Sequence, residues 1–459
     1  MATKPVSVFV CNECGYESAK WMGQCICGAW NSFSEERIRK TPTSKANDMA
    51  RKSFNAAQPK PLADVSTLSR IRIDTKIGEL NRVLGGGIVP GSLILIAGEP
   101  GIGKSTLILQ AAIHLALSGQ KILYVSGEES EEQIRLRADR LCPGESDIPP
   151  ELLILSETNM EPLDDIIQAM HPDLLIIDSI QTMYTEMSVS VAGSVSQVRA
   201  CTGELMHIAK STQIPILIVA HVTKSGDLAG PKMIEHLVDC VLQFTGDRNQ
   251  DLRILRANKN RFGATSEIGA FEMREEGLAE VENLSGSLLE GMDTEAEGAV
   301  ATAVYEGTRP LLLEIQALTS PSGVGFARRT PIGIELSRLN MIVAVLERKA
   351  KLSLADKDVY VNVVGGIRPE GTSFDLAVAL AIYSSAKGLT VSPNTLAIGE
   401  IGLTGELRQV KGAEKIVREA AKLGFDRILL AKKSADKIGA VPGLQCIGVS
   451  TVLEAIQAL

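Results

Sequence analysis

"LILIAGEPGIGKSTLILQAA", residues 93–112, decides how this chain folds. An apolar run of strand length, 93–97, meets a glycine-rich turn, and a helix-period segment, 104–118, leaves it. The turn "GEPGIGKST" fits G-x-x-x-x-G-K-[ST] with Gly98, Gly103, Lys104 and Ser105. Between the fixed positions lie Glu99, Pro100, Gly101 and Ile102, in a loop whose backbone N–H groups can wrap phosphate oxygens. Lys104 would then reach the β and γ phosphates and the Ser105 hydroxyl would ligate magnesium. ATP and Mg2+ are the expected ligands.

Working outward, apolar runs at 121–126, 152–155, 174–178, 214–220 and 238–244 alternate with helix-period segments. Such alternation predicts a mostly parallel sheet covered on both faces. "DLLIIDSIQT" ends a buried strand at Asp178, where a carboxylate can hold the metal's water shell beside Ser105. "ILYVSGEES" brings Glu128 and Glu129 to the end of another strand. Glu128 is the expected general base for the attacking water, and Glu129, Glu131 and Glu132 read as acids at a helix N-terminus. His221 follows the strand "ILIVA" and is a candidate γ-phosphate sensor, coupled to a loop bearing Lys224 and Lys232.

Further on, "ILRANKNRFGATSEIG", residues 254–269, reads as a hairpin with Lys259 and Arg261 near its tip. Two such cations are either a solvated turn or, in a ring of subunits, an arginine finger (Arg261) with added charge from Lys259, aimed at a neighbour's phosphates.

At 459 residues the chain exceeds a single core. Hydrophobic residues at 45% and charged residues at 22% fit a globular protein. No apolar run approaches the roughly 18 residues of a membrane helix, and no secretion signal opens the chain, so a cytoplasmic location without membrane contact is expected. A net charge of −8 argues against uniform coating of nucleic acid but permits a local basic channel. Of eight cysteines, Cys11, Cys14, Cys25 and Cys27 crowd one stretch too short to bury a core. They are the expected ligands of a Zn2+ that stabilises residues 1–35. The second pair, Cys25-Ile26-Cys27, has one residue between its thiols instead of two. Cys142, Cys201, Cys240 and Cys446 read as small core residues. Residues 36–65 form a polar linker, 66–286 the ATPase domain and 287–459 a second α/β domain with strands at 299–305, 311–317, 359–364 and 427–430.

These motifs, with "HVTKSGDLAGPKMIEH", "KNRFG" and "GEIGLTGELRQV", resemble the bacterial RadA (Sms) family along essentially the whole chain. The resemblance implies an α/β protein with a RecA-like P-loop ATPase core, an N-terminal zinc-ribbon-like module and a C-terminal Lon-protease-like α/β domain. It also implies a hexameric motor loading on single-stranded DNA and driving branch migration of branched recombination intermediates with the RecA recombinase. Lys259 and Arg261 would be required for function, and the zinc module would contact partners. The position matching the Lon serine is Gly371 and that of its lysine is Glu414, so the tail is expected to be a non-catalytic scaffold. A basic set, Arg328, Arg329, Arg338, Arg348, Lys349 and Lys351, is either a duplex-binding surface or a solvated face. The rival functions are an ATP-gated oligomeric scaffold without DNA translocation and an ATP-dependent protease.

Overall fold

The computed structural model describes residues 6–11, 16–38, 61, 72–142, 148–188, 190–221, 233–246, 251–293, 296–306, 309–323, 326–365, 369, 371–392 and 394–459. Cys14, nearly all of the expected linker, Lys224 and Lys232 lie outside them. The chain divides into two compact units, Met1–Glu280 and Val281–Leu459.

The first unit begins with a small antiparallel sheet in which β1 (Val6–Cys11) pairs with β2 (Glu17–Ser18) and β3 (Phe33–Ile38). After α1 (Gly78–Leu84) the main sheet starts with β4 (Leu93–Gly98), followed by α2 (Lys104–Leu117), β5 (Ile122–Ser126) and α3 (Glu131–Leu141). It continues through β6 (Leu152–Ser156), α4 (Met160–Met170), β7 (Leu174–Asp178), α5 (Val195–Thr212), β8 (Ile216–His221), α6 (Met233–Leu237) and β9 (Cys240–Gly246). Three antiparallel strands, β10 (Leu252–Asn260), β11 (Ile268–Arg274) and β12 (Gly277–Glu280), complete it. The order is β12-β11-β10-β9-β4-β8-β7-β5-β6, with β9, β4, β8, β7, β5 and β6 all parallel.

Each strand of β4, β5 and β7 is buried throughout, because helices cover both faces. One face packs Ile94, Ile96, Tyr124 and Ile176 under α2 and α3, and the other packs Leu95, Val125 and Ile177 under α4 and α5. Cys201 and Cys240 are fully buried, and burial pushes both thiols up to about 12, so they pack as small apolar groups. Ser130 caps α3 in a reciprocal box with Gln133, and Glu131 and Glu132 lie in its first turn. Their acidity serves the helix end.

Lys259 and Asn260 are the last residues of β10, so Lys259 lies in the ladder instead of near the hairpin tip.

The second unit holds a seven-stranded sheet. Its elements are α7 (Leu284–Leu289), β13 (Ala299–Glu306), β14 (Arg309–Pro321), β15 (Arg329–Ile332), α8 (Leu336–Lys349), β16 (Lys357–Val363) and α9 (Asp375–Lys387). They are followed by β17 (Thr395–Ala397), the β18–β19 ribbon (Glu400–Ile401 and Leu407–Arg408), α10 (Ala413–Lys422), β20 (Arg427–Ala431), α11 (Lys432–Ile438), β21 (Gln445–Val449) and α12 (Val452–Gln457). The strand order is β15-β16-β14-β13-β17-β20-β21.

Two of the six basic residues noted here are committed inside the fold. Arg338 forms a two-pronged ion pair with the fully buried Asp375, and Arg329 donates to the carbonyls of Leu354, Lys357 and Arg328. A carboxylate without water needs such a partner, so Arg338 is not available to a phosphate backbone. Gly371 stands where the resemblance would place the Lon serine. The Ser373 hydroxyl donates to the Ala303 carbonyl at 3.1 Å, and Glu414, in place of the Lon lysine, pairs with Arg418 at 2.6 Å. Among the described residues, no general base is hydrogen-bonded to the Ser373 hydroxyl.

Candidate functional site

Parallel strands end on one edge, and four of the expected groups meet there. β8 lies between β4 and β7, and its register sets Gly98 beside His221; on β5 and β7, Ser126 lies beside Asp178. The phosphate-loop strand and the Asp178 strand are therefore separated by the strand that carries His221. Lys104, 3% exposed, donates to the carbonyls of Gly98 and Glu99 at 2.9 Å each and to His221 Nδ1 at 3.1 Å. With the Lys104 ammonium as donor Nδ1 accepts, and on the other side of the ring Nε2 lies 3.2 Å from Glu128 Oε2, to which its N–H donates. Ser179 donates to the other Glu128 oxygen. A continuous chain thus joins Lys104, His221, Glu128 and Ser179.

Glycines make this edge possible. Gly103 sits at φ 113°, and a Cβ there would lie 2.8 Å from the Met273 side chain. At Gly127, just before Glu128, a Cβ would come within 2.1 Å of the Thr182 hydroxyl. Any side chain at Gly127 would force Thr182 or the local backbone to shift. Glu129 points elsewhere, into an ion pair with Arg137 of α3.

The charges follow from burial. Desolvation lowers Lys104 from 10.5 to about 8, against the attraction of Asp178 and Glu128. The His221 hydrogen bond, then that of Ser179, hold Glu128 below its usual range against burial. Asp178 and Glu128 face one cation, Lys104, and Asp178 Oδ1 takes no hydrogen-bond donor among the described residues. This excess of negative charge with a free carboxylate oxygen suits a divalent cation, and Asp178 and Ser105 are the residues that would hold Mg2+.

A depressed lysine has a definite pH signature. The folding penalty of the buried charge is full below about pH 8 and is relieved as pH rises from about 8 to 10.5. Phosphates gripped by Lys104 would restore the charge, so above about pH 8 nucleotide binding would be coupled to proton uptake. Nucleotide affinity is expected to be flat from about pH 7 to 8 and then to fall by up to about tenfold per pH unit. Fluorescent-nucleotide titrations across that range measure it, and a level curve to about pH 9.5 would mean Lys104 keeps its charge without phosphate.

Lys259 and Arg261 are not at this edge. The end of β10 pairs with the start of β9, Asn260 opposite Cys240, so the cations lie where the parallel strands begin. The length of β4, about 17 Å at 3.3 Å per residue, separates them from their own phosphate loop. Lys259 donates to the carbonyls of Glu235 and His236 at the end of α6. Arg261 pairs with Asp239 Oδ1 at 3.2 Å while half exposed, and Asp239 Oδ2 is held by Lys210 at 2.6 Å and the Leu93 amide at 3.1 Å. Asn260 binds the carbonyls of Val83 and Leu84, and Arg72 binds that of Phe262. The motif is a knot that fastens α1 and α6 to the sheet.

In the N-terminal sheet, the thiols of Cys11, Cys25 and Cys27 lie within 4.8 Å of one another, with Cys11 Sγ and Cys27 Sγ 3.9 Å apart. Zn–S bonds of about 2.3 Å in a tetrahedron put sulfurs about 3.8 Å apart. The single-residue spacing of Cys25 and Cys27 therefore still lets both thiols reach one metal ion; Cys14 lies outside the described residues.

Two residues of the nucleotide edge were not expected from the sequence. Ser179 follows Asp178 and holds Glu128, and the Tyr124 hydroxyl donates to Asp178. A tyrosine inside an apolar strand run, "ILYVS", is the only signal for the second, and it reads equally as core.

Family models match three parts of the chain: "Rubredoxin metal binding domain" at residues 9–35, "AAA domain" at 58–227 and "Subunit ChlI of Mg-chelatase" at 334–434. The protein "DNA repair protein RadA" of Bacillus subtilis (strain 168) is 49% identical over 455 residues, covering 99% of this chain and 98% of that one. The protein of the same name from Streptococcus pyogenes serotype M6 is 48% identical over 458 residues, covering 99% of each. A solved structure, "Crystal structure of the RadB recombinase", is 22% identical over 46% of this chain and 99% of its own, at a TM-score of 0.37.

Proposed function

The chain belongs to the RadA family of DNA repair proteins, and from that premise we propose that it is a DNA-dependent ATPase whose hydrolysis drives branch migration of recombination intermediates. The fold is RecA-like, with a zinc-ribbon module before it and a Lon-like region after it. In this reading 1–35 is the metal module, 36–65 the linker, 66–286 the motor and 287–459 the scaffold. One observation carries the proposal. The groups for hydrolysis gather where the parallel strands end, while Lys259 and Arg261 sit where the strands begin.

A subunit built this way cannot put Arg261 on its own nucleotide, but a head-to-tail neighbour can. Head-to-tail contacts that close give a ring, which supports the expected hexamer. Asp239 favours the transfer as well. Lys210 and the Leu93 amide keep its buried carboxylate compensated when Arg261 turns toward a neighbour's γ-phosphate. Glu128 would orient and deprotonate the water, Lys104 would grip the phosphates, and His221, released as Lys104 moves onto them, would report the γ-phosphate to residues beyond 221.

Single-stranded and branched DNA are the proposed substrates and the RecA recombinase the proposed partner. The test is ATPase rate against single-stranded and duplex DNA, with particle mass followed by light scattering. Stimulation by single strands that falls steeply between about 50 and 200 mM salt is expected. A slow ATPase indifferent to DNA would favour the ATP-gated scaffold instead. The arrangement at Gly371, Ser373 and Glu414 argues against the protease.

A further inference from the structure

The carboxylate that faces the metal has a support that the phosphate loop does not foretell. Tyr124, fully buried on β5, donates its hydroxyl to Asp178 Oδ2 at 2.5 Å. It packs in the core beneath α2 with Ile176, two residues before Asp178, so tyrosine and aspartate share the sheet face that the phosphate-loop helix covers. Asp178 is itself buried, and among the described residues no donor reaches its Oδ1. Burial first, then the adjacent Asp178 charge, push the phenol's ionisation well above its ordinary range, which keeps it a donor. A carboxyl group rotates easily about its last bond, since that torsion is broad and roughly two-fold. A single buried phenol on one oxygen removes the freedom.

We propose that Tyr124 is a positioning residue for the Mg2+ that accompanies the nucleotide, its hydroxyl turning Asp178 so that Oδ1 meets the metal's water shell. A partner of this kind acts through the carboxylate and never touches metal or phosphate. Its loss should therefore appear in the metal dependence of binding before anything else, on the order of tenfold, as for other outer partners of metal-facing groups.

Tyr124→Phe keeps the ring and its packing and removes the hydroxyl. In the full chain, a fluorescent ADP analogue is titrated first without metal and then at rising Mg2+. Metal-free affinity is expected to match the parent, while the Mg2+ concentration giving half of the metal-dependent gain rises about tenfold. Bound Mn2+ with ADP, read by electron paramagnetic resonance, should fall in parallel. Asp178→Asn should show a shift at least as large, and Tyr124→Phe added to Asp178→Asn should shift it no further. A Tyr124→Phe curve superimposed on the parent's, whether or not the thermal midpoint drops, would overturn the proposal and leave the phenol a packing group. Additive shifts in the double variant would overturn it too.

Discussion

Glu128→Gln is expected to leave ATP bound and to lower its turnover by about 10²–10⁴, the span of a lost general base. Glutamine occupies the same volume and still accepts from Ser179, but it takes no proton from water. The loss should fall on the chemical step. Mixing enzyme with limiting ATP and quenching over time would show nucleotide bound at parental affinity and left uncleaved. Glu129→Gln is the matched control: Glu129 pairs with Arg137 and lies off the Lys104–His221–Glu128 chain, so its turnover should stay within about threefold. If the two variants swapped outcomes, or if Glu128→Gln turned over normally, the base would have to be sought elsewhere.

Arg261→Ala is expected to cost about 10³ or more in turnover, the effect of removing an arginine finger, with nucleotide affinity retained. Loss of activity alone does not distinguish a role across subunits from collapse of the knot, because Arg261 also pairs with Asp239. Mixed rings do. Subunits carrying Arg261→Ala keep Lys104, and subunits carrying Lys104→Ala keep Arg261, so each population alone should be inert. Where the two adjoin in the right order, one intact site forms, and mixing should restore a measurable fraction of hydrolysis. Mixtures as inert as their parts, at a particle mass equal to that of the parent assembly, would remove Arg261 from the neighbour's site.

How much was legible beforehand differs from residue to residue for a physical reason. Asp178 and His221 each end a strand and Glu128 follows one by two residues, and strand ends announce themselves through apolar runs that stop at a polar residue. The phosphate loop is contiguous, so its spacing alone carries its geometry. Cys25 and Cys27 were legible as a pair although shortened, since two thiols so close in sequence can reach one metal by a local turn. By contrast, "KNRFG" read as a charged hairpin tip. In the fold its cations are spent on Asp239 and the end of α6, and its asparagine on α1. Arg338 likewise read as one of a basic set and is instead held by a carboxylate 37 residues on.

The amino-acid order by itself determined the nucleotide loop, the alternation of strand and helix, and the thiol cluster. All of these are matters of short-range spacing and residue type, which the chain carries locally. Only the tertiary structure decided that β8 lies between the phosphate-loop strand and the Asp178 strand, that Tyr124 holds Asp178, and that Lys259 and Arg261 stand a strand's length from their own nucleotide edge. Those facts depend on which strands become neighbours and in what register. That is settled by burying the whole sheet at once, and no short window contains it.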